Sequence, residues 1–268
     1  MNNIYHKGRL LIRNWFLNIF GFFSKPSSYI HILNGHMVDW NHDNDKDGIR
    51  FESRLAELYK YCNFVNIEDA IRMIMNNELV ERPTIAFTFD DGWRDCYTQI
   101  APKLEKYGVN AMFFINPNLV DAADSNDEKY IENFTVNITK SPGKRPMTWK
   151  QIMELKKRGF LFGAHTLDHY CINDDNIEEL EHQIRDCRRV LENKLGVPCD
   201  YFAFPYGRLK DANDKSIEIA IKCYKYVFTQ SNYKYYFSYN GKLINRRHFE
   251  PFWPISHINY FLSKKKRY

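Results

Sequence analysis

The hydrophobic pattern divides most of the chain into alternating strands and helices. Compact apolar runs predict strands, and apolar residues at three- and four-residue steps predict helices. The predicted strands span residues 28–38, 84–89, 110–116, 160–165, 200–205 and 225–230. The predicted helices span residues 50–61, 67–75, 95–106, 148–159, 177–195 and 212–223. Strands that alternate with helices of this length indicate parallel βαβ units, with the functional loops at the strand C-termini.

Two polar segments interrupt this alternation. Residues 121–146 form a polar insertion whose role the pattern leaves open. Residues 41–48 form an acidic loop that lacks the ligand spacing and the terminal Glu of an EF-hand. Neither segment changes the predicted fold class, which is α/β.

Three predicted strands end in residues with unusual chemistry. Asp90 and Asp91 follow the strand at 84–89, and His165 ends the strand at 160–165. Pro205 ends the strand at 200–205, and Tyr206 follows it. Because all of these loops open on one face of a parallel barrel, we expect the side chains to converge. The local alternative is a solvated turn, since Asp-Gly is a common turn pair.

Composition and charge narrow the function only slightly. The 268 residues suffice for one large domain or two small ones, and the aromatic content of 16% is high. Such a surplus is compatible with sugar-stacking surfaces or with an aromatic-rich core. The net charge of +5 is partly local, in the basic run at 264–267. Nothing else resembles a nucleic-acid footprint, so no nucleic-acid partner is expected.

The six cysteines are scattered and form no C-x-x-C pair. Their distribution argues against a cysteine zinc site and a disulfide scaffold, and fits a reducing compartment.

Residues 10–23, LLIRNWFLNIFGFF, are the membrane-like segment of the sequence. The run is too short to span a bilayer, Arg13, Asn14 and Asn18 interrupt it, and it lacks the small-residue cleavage site of a signal peptide. Basic and aromatic residues side by side suit a helix in a membrane interface, with an ordinary packing helix as the alternative. We therefore expect a protein of the cytoplasm or the cytoplasmic membrane surface. An exported, anchored protein is the alternative.

The polar residues at the strand ends suit a metal site. His165 and His169, in the sequence HTLDH, can face the same way if the chain coils there. Two imidazoles and one carboxylate form a facial set that suits zinc or another divalent ion and leaves positions open. One aspartate would then be a ligand, while its neighbour stays free as a base. A metal thus explains two adjacent carboxylates.

Three motifs carry a resemblance to a known family. The sequences TFDDG at 88–92, HTLDH at 165–169 and FAFPYG at 202–207 resemble, in order and spacing, motifs of the NodB-type polysaccharide deacetylases, carbohydrate esterase family 4. The resemblance runs from about residue 29 to residue 247. It implies a distorted, incomplete (β/α) barrel, in agreement with the strand pattern.

The resemblance also implies roles for individual residues. Asp90 resembles the catalytic base, and the metal ligands would be Asp91, His165 and His169. The backbone N–H of Tyr206 would help to hold the oxyanion. Pro205, Tyr206 and Trp93 are the expected substrate-binding residues. The cofactor would be one divalent ion, zinc first, with cobalt or nickel as alternatives.

The chain departs from the family pattern at two points. Ala203 stands where many members have an arginine that tethers the base, so Arg246 or Arg247 is expected to replace it. In a circularly permuted subset, which resembles poly-N-acetylglucosamine deacetylases, the general-acid histidine comes from an N-terminal strand end. His36 is therefore the candidate acid, with His248 and His257 as alternatives.

These observations predict a metal-dependent hydrolase that removes N-acetyl groups from an amino sugar. The expected partner is an N-acetylated glycan or a lipid- or nucleotide-linked sugar, with peripheral membrane contact as an option. The expected domains are a basic and apolar segment at 1–27, a deacetylase domain at 28–250 and a C-terminal segment at 251–268. An O-acetyl esterase and a non-catalytic glycan-binding barrel are the alternatives.

Overall fold

The computed structural model describes residues 2–40 and 48–268, so most of the acidic loop at 41–48 lies outside the described residues. The strands are β1 (Ile30–Gly35), β2 (Asn63–Phe64), β3 (Thr84–Phe89), β4 (Ala111–Ile115), β5 (Leu161–Ala164), β6 (Tyr201–Ala203), β7 (Tyr226–Thr229), β8 (Phe237–Ser238), β9 (Leu243–Asn245) and β10 (Arg247–His248).

The α-helices are α1 (Asn2–Phe22), α2 (Gly48–Tyr59), α3 (Ile67–Met75), α4 (Ala101–Glu105), α5 (Pro117–Ser125), α6 (Glu128–Asn133), α7 (Trp149–Lys157), α8 (Ile177–Glu181), α9 (Cys187–Leu195), α10 (Asp214–Cys223) and α11 (Ile255–Leu262). Three π-helical segments, Cys96–Ile100, Phe134–Ile138 and His182–Asp186, continue or join these helices. A short 3₁₀ turn lies at Leu209–Asp211.

The strands form one open sheet in the order β10-β1-β3-β4-β5-β6-β7-β9-β8, and β2 pairs with β3 beside β4. Neighbours are parallel except β8 and β9, which are antiparallel. In the described part of the chain the two edge strands do not pair with each other, and the curled sheet is open. This arrangement confirms the predicted α/β class and the incomplete (β/α) barrel.

Both faces of the sheet are buried, as in other parallel sheets. On β4, Phe113 packs with the helices of one layer while Phe114 packs against the other face, where α3 contributes Ile71 and Ile74. Alternate residues of a strand point to opposite faces, so each central strand is apolar throughout. Near-continuous apolar runs are therefore what made these strands predictable from the sequence.

The segment predicted as a polar insertion is folded. It contains α6 and the π-helical segment Phe134–Ile138, and Ile131 and Phe134 are buried in a small core with Trp93 and Met37. The sequence pattern did not reveal this packing, because it depends on single apolar residues, such as Ile131 and Phe134, among polar ones. This small core supports the loops at the C-terminal ends of the strands.

Helix α1 packs on α11. Leu17 is buried, the Asn18 amide oxygen accepts hydrogen bonds from Ser256 and His257, and Gly21 lies against the backbone of Ser256. Among the described residues, no helix combines the length and apolar character that crossing a bilayer requires.

Replacing Gly21 with leucine should undock α1, because any Cβ at this position overlaps the Ser256 carbonyl. We expect overpacking to cost about 1–3 kcal/mol of docking free energy. Limited proteolysis should then cut α1 faster, while the melting temperature of the barrel changes little. The control is Phe22→Leu, which alters the adjacent, exposed side chain. Equal cleavage of both variants would contradict the packing described here.

Candidate active site

The predicted site residues meet at the C-terminal edge of the sheet. His36 follows β1, Asp90 and Asp91 follow β3, His165 follows β5, and Tyr206 follows β6. A cleft of about 210 Å³ is lined by His36, Trp40, Asp90, Asp91, Ile138, Thr139, His165, His169, Tyr206, Gln230 and His248. The parallel topology produces this convergence, because β1, β3, β5 and β6 all end on the same side.

Asp90 is held by a buried arginine. Arg246 donates from Nη1 to Oδ1 at 2.8 Å and from Nη2 to Oδ2 at 2.9 Å, a two-point pair between fully buried side chains. Burial alone would raise the pKa of Asp90, but the Arg246 guanidinium lowers it below its ordinary value. Asp90 is therefore ionised at neutral pH and faces the cleft.

Asn34 connects this pair to two strands. Its Nδ2 donates to Asp90 Oδ2 at 2.9 Å, and its Oδ1 accepts from Arg246 Nη1 at 2.7 Å and from Thr88 Oγ1 at 3.1 Å. Asn34 lies opposite Thr88 on β3 and opposite His248 on β10. Both polar atoms of the Asn34 side chain are thus hydrogen-bonded, and the carboxylate of Asp90 is fixed in orientation.

Asp91 has different surroundings from its neighbour. Its Oδ1 is buried, has no hydrogen-bond partner in the described part of the chain, and lies 3.5 Å from Nε2 of both His165 and His169. Burial raises its pKa, but the two imidazoles outweigh burial and leave the pKa below its ordinary range. One carboxylate oxygen and two imidazole nitrogens therefore converge on one point.

These three residues fit a divalent ion. Their candidate ligand atoms lie within 4.8 Å of one another, and a buried carboxylate oxygen without a hydrogen-bond partner among the described residues suits a cation. The burial of His169 lowers its pKa to about 4, so its ring is neutral, as a ligand must be. Nitrogen and carboxylate donors in this number suit zinc, cobalt or nickel.

Neighbouring groups orient the candidate ligands. His165 Nδ1 donates to the carbonyl of Ala203 at 2.6 Å, which directs Nε2 toward Asp91. Trp93 Nε1 donates to Asp91 Oδ2 at 3.0 Å. The second oxygen of Asp91 is thereby occupied, and only Oδ1 remains for a cation.

The backbone at the site is strained. Asp91, Thr166, His169 and Tyr206 all have positive φ, between 57° and 72°. Side-chain-bearing residues seldom adopt this left-handed conformation, and it costs on the order of 1–3 kcal/mol each. The strained residues turn the chain sharply after each strand, which brings side chains from separate loops to one point.

His36 shares a carboxylate with His248. Glu250 Oε1 accepts from His36 Nδ1 at 2.7 Å and from His248 Nε2 at 2.9 Å. Burial disfavours a charged His36, but Glu250 and then the aspartates outweigh it and raise its pKa to about 10. The His36 ring is therefore protonated at neutral pH, and Nε2 is its remaining donor.

Several expectations need correction. Trp93 cannot stack on a sugar, because it is fully buried and holds Asp91 instead. His257 is not a candidate acid, because it is buried on α11 and bonds to Asn18. Arg247 does not reach Asp90; its guanidinium lies over the rings of Phe261 and Tyr233.

Of the predicted substrate-binding residues, only Tyr206 lines the cleft. Its side chain is 45% exposed, and its ring centroid lies 4.9 Å from that of His169, so it is free to contact a sugar. Pro205 is buried and does not line the cleft, so the prediction that it contacts substrate needs correction too. The sequence analysis did not predict Asn34 or Glu250 as site residues. Asn34 could have been noticed as a polar residue inside the apolar run of β1, whereas nothing in the local sequence distinguishes Glu250.

Fold and site together define an incomplete (β/α) barrel with a candidate metal site at the ends of its strands. The family model for polysaccharide deacetylases matches residues 78–226, more than half of the chain. The chain therefore belongs to the polysaccharide deacetylase family, as the NodB-type motifs predicted.

Related proteins give the same result. The peptidoglycan-N-acetylglucosamine deacetylase of Bacillus cereus is 29% identical over 148 residues, which cover 55% of this chain and 55% of that protein. The chain spans about half the length of the curated relatives it matches.

Two solved structures share the fold. IcaB from Ammonifex degensii has a TM-score of 0.68 at 19% identity, covering 90% of this chain and 99% of that one. The Streptococcus pyogenes deacetylase PplD, solved with acetate, has a TM-score of 0.65 at 21% identity, covering 89% and 99%. At these identities the likeness concerns the fold alone.

Replacing Trp93 with phenylalanine should weaken metal binding by roughly 10–100-fold, because Asp91 loses the donor that orients it. Competition with a chelating dye measures the affinity. The matched control is Trp149→Phe, which removes an indole bond to Asp121 outside the cleft. Equal affinities in the two variants would show that Trp93 is only a packing residue.

Proposed function

We propose that this chain is a metal-dependent hydrolase that removes N-acetyl groups from an amino-sugar-containing glycan or glycan precursor. The observation that carries the proposal is the contrast between two adjacent aspartates. Asp90 is ionised, paired with Arg246 and turned to the cleft, whereas Asp91 keeps one free oxygen beside two imidazoles. A base beside a metal ligand suits metal-assisted hydrolysis of an acyl group.

The proposed metal residues are Asp91, His165 and His169. A bound divalent ion, zinc first, would polarise the acetyl carbonyl and lower the pKa of a water molecule. The protein would supply a neutral His169, a fixed His165 and one free carboxylate oxygen for this purpose.

Proton transfer is assigned to Asp90 and His36, which both line the cleft. Asp90 accepts the proton of the attacking water, since Arg246 and Asn34 hold the carboxylate still. His36 then donates a proton from Nε2 to the leaving amine, while Glu250 holds Nδ1. The backbone N–H of Tyr206 is the proposed donor to the oxyanion.

The substrate class follows from the relatives and the cleft. A similar enzyme is named for deacetylation of N-acetylglucosamine in peptidoglycan. Exposed Tyr206 offers one ring for a sugar. We extend the proposal to a glycan or a lipid- or nucleotide-linked sugar, with peripheral membrane contact through α1.

The test is acetate release from N-acetylglucosamine oligomers and from a lipid-linked N-acetyl sugar. The protein is first stripped of metal and then supplied with zinc, cobalt or nickel. Acetate release that needs metal and matches the free amine formed supports the proposal. Acetate without new amine would indicate an O-acetyl esterase, and tight metal binding without any release would indicate a glycan-binding barrel.

Asp90→Asn should reduce turnover by roughly 10²–10⁴-fold and leave metal affinity nearly unchanged, because the base is lost and the ligands remain. Asp91→Asn is the matched comparison, since it alters the adjacent residue. This second variant should lose metal affinity first. Turnover and metal content of both variants are measured together. Full activity in Asp90→Asn would remove Asp90 from its assigned role.

Glu250→Gln should move the alkaline limit of activity to lower pH. With Glu250 in place His36 stays protonated up to about pH 10. Without the carboxylate, the pKa of His36 falls, so the variant loses the protonated acid at a pH where the wild type keeps it. Profiles of kcat/KM from neutral to alkaline pH measure the shift. The control is Glu154→Gln, whose carboxylate binds Tyr97 away from the cleft; an unshifted limit in Glu250→Gln would contradict the assignment.

A further inference from the structure

Helix α1 is apolar on its exposed side as well as on its packed side. A surface helix normally turns its apolar side inward and its polar side to water. Here Leu17 and Gly21 are buried on the side packed on α11, and the exposed Asn18 bonds to α11, yet the opposite side is also apolar and exposed. We call this side the outer face; its residues, between 38% and 81% exposed, are Leu11, Ile12, Trp15, Ile19, Phe22 and, just after the helix, Phe23. A continuous apolar face of this size needs a partner.

The surroundings of the outer face are basic. The sequence has no Asp or Glu before Asp39, and Arg9, Arg13 and Lys25 lie in or just after α1. A cavity of about 500 Å³, the basic pocket, is lined by Lys234, Tyr235, Lys264, Lys265 and Arg267. None of its four cations forms an ion pair with a carboxylate of the described residues, so their charge is available to an outside anion.

Contacts place the basic pocket beside α1. The ring of Phe16 meets Tyr260 at 5.7 Å, and Lys264 Nζ lies 3.9 Å from the centroid of the same tyrosine. Ser27, just after α1, donates to the carbonyl of Lys264. The cations of the basic pocket therefore lie close to α1, next to α11 and the segment that follows it.

We propose that the outer face and the basic pocket together bind the surface of an anionic phospholipid bilayer. Aromatic residues such as Trp15 suit the boundary between headgroups and acyl chains, and the cations suit the phosphates. A second copy of this chain is a poorer occupant, because it would bring an equally basic rim against this one. Because α11 covers the inner side of α1, the helix lies along the membrane and only its outer face enters.

Contacts through α11 link α1 to the cleft. Gly21 packs on Ser256 at the start of α11, and the ring centroid of Trp253, just before that helix, lies 5.1 Å from that of His248 in the cleft. A substrate at the membrane, a glycan attached to it or emerging there, is therefore the one this placement favours. The inference deepens the proposed function by naming where its substrate lies, but lipid binding itself does not depend on deacetylation.

The experiment is sedimentation of the full chain with vesicles, without any glycan. We expect strong binding to vesicles of phosphatidylglycerol and phosphatidylcholine, weaker binding to phosphatidylcholine alone, and a decrease with salt. The combined variant Ile12→Gln, Trp15→Gln and Phe23→Gln should bind the anionic vesicles more weakly, by about tenfold or more. Lys264→Gln with Lys265→Gln should reduce the preference for the anionic lipid.

The matched control replaces three exposed apolar residues elsewhere, Ile49→Gln, Leu79→Gln and Val197→Gln. It should bind like the wild type, and circular dichroism verifies that all variants are folded. Unchanged binding by the outer-face variant, or no binding by the wild type, would overturn the proposal. So would a dimer without vesicle binding that the outer-face variant dissociates, since a second copy would then be the occupant. An inactive enzyme that binds vesicles would refute the proposed function alone.

Discussion

The buried pair between Arg246 and Asp90 is the interaction on which the rest of the site depends. It joins the end of β3 to the junction of β9 and β10, and Asn34 adds β1 to the same network. A buried ion pair is costly to form, and removal of one partner typically costs about 3–5 kcal/mol. Such a pair adds little stability by comparison with apolar packing. It instead holds one ionised carboxylate where the proposed reaction uses a base.

The pairing of Asp90 with Arg246 also explains why the adjacent carboxylates of Asp90 and Asp91 have different surroundings. The left-handed backbone at Asp91 turns its side chain toward His165 and His169, away from the arginine that holds Asp90. Trp93, packed in the small core of the folded 121–146 segment, occupies the second oxygen of Asp91. Two residues that are neighbours in the chain therefore belong to two electrostatic environments. The electrostatic difference between the proposed base and the proposed ligand comes from tertiary contacts.

Much of the fold could be predicted because the central strands and the helices are recognisable from their own sequence patterns. Strands such as β3 and β4 are buried on both faces, so they are apolar throughout and bounded by turn residues. Two- and three-residue strands such as β8 and β10 have no pattern to detect. The helical segment at 134–138 was missed for the same reason, since its packing depends on a few apolar residues among polar ones.

The sequence by itself determined the order of the strands and helices and the residue types at their ends, including Asp90, Asp91, His165 and His169. It could do so because local pattern and motif spacing are properties of neighbouring residues. Only the tertiary structure decided that Arg246, and not Arg247, pairs with Asp90, and that His257 lies outside the cleft. It also showed that Trp93 is a buried support and that α1 exposes a second apolar side. These choices depend on which distant strands and helices meet, and sheet pairing brings together residues more than 150 positions apart in the chain.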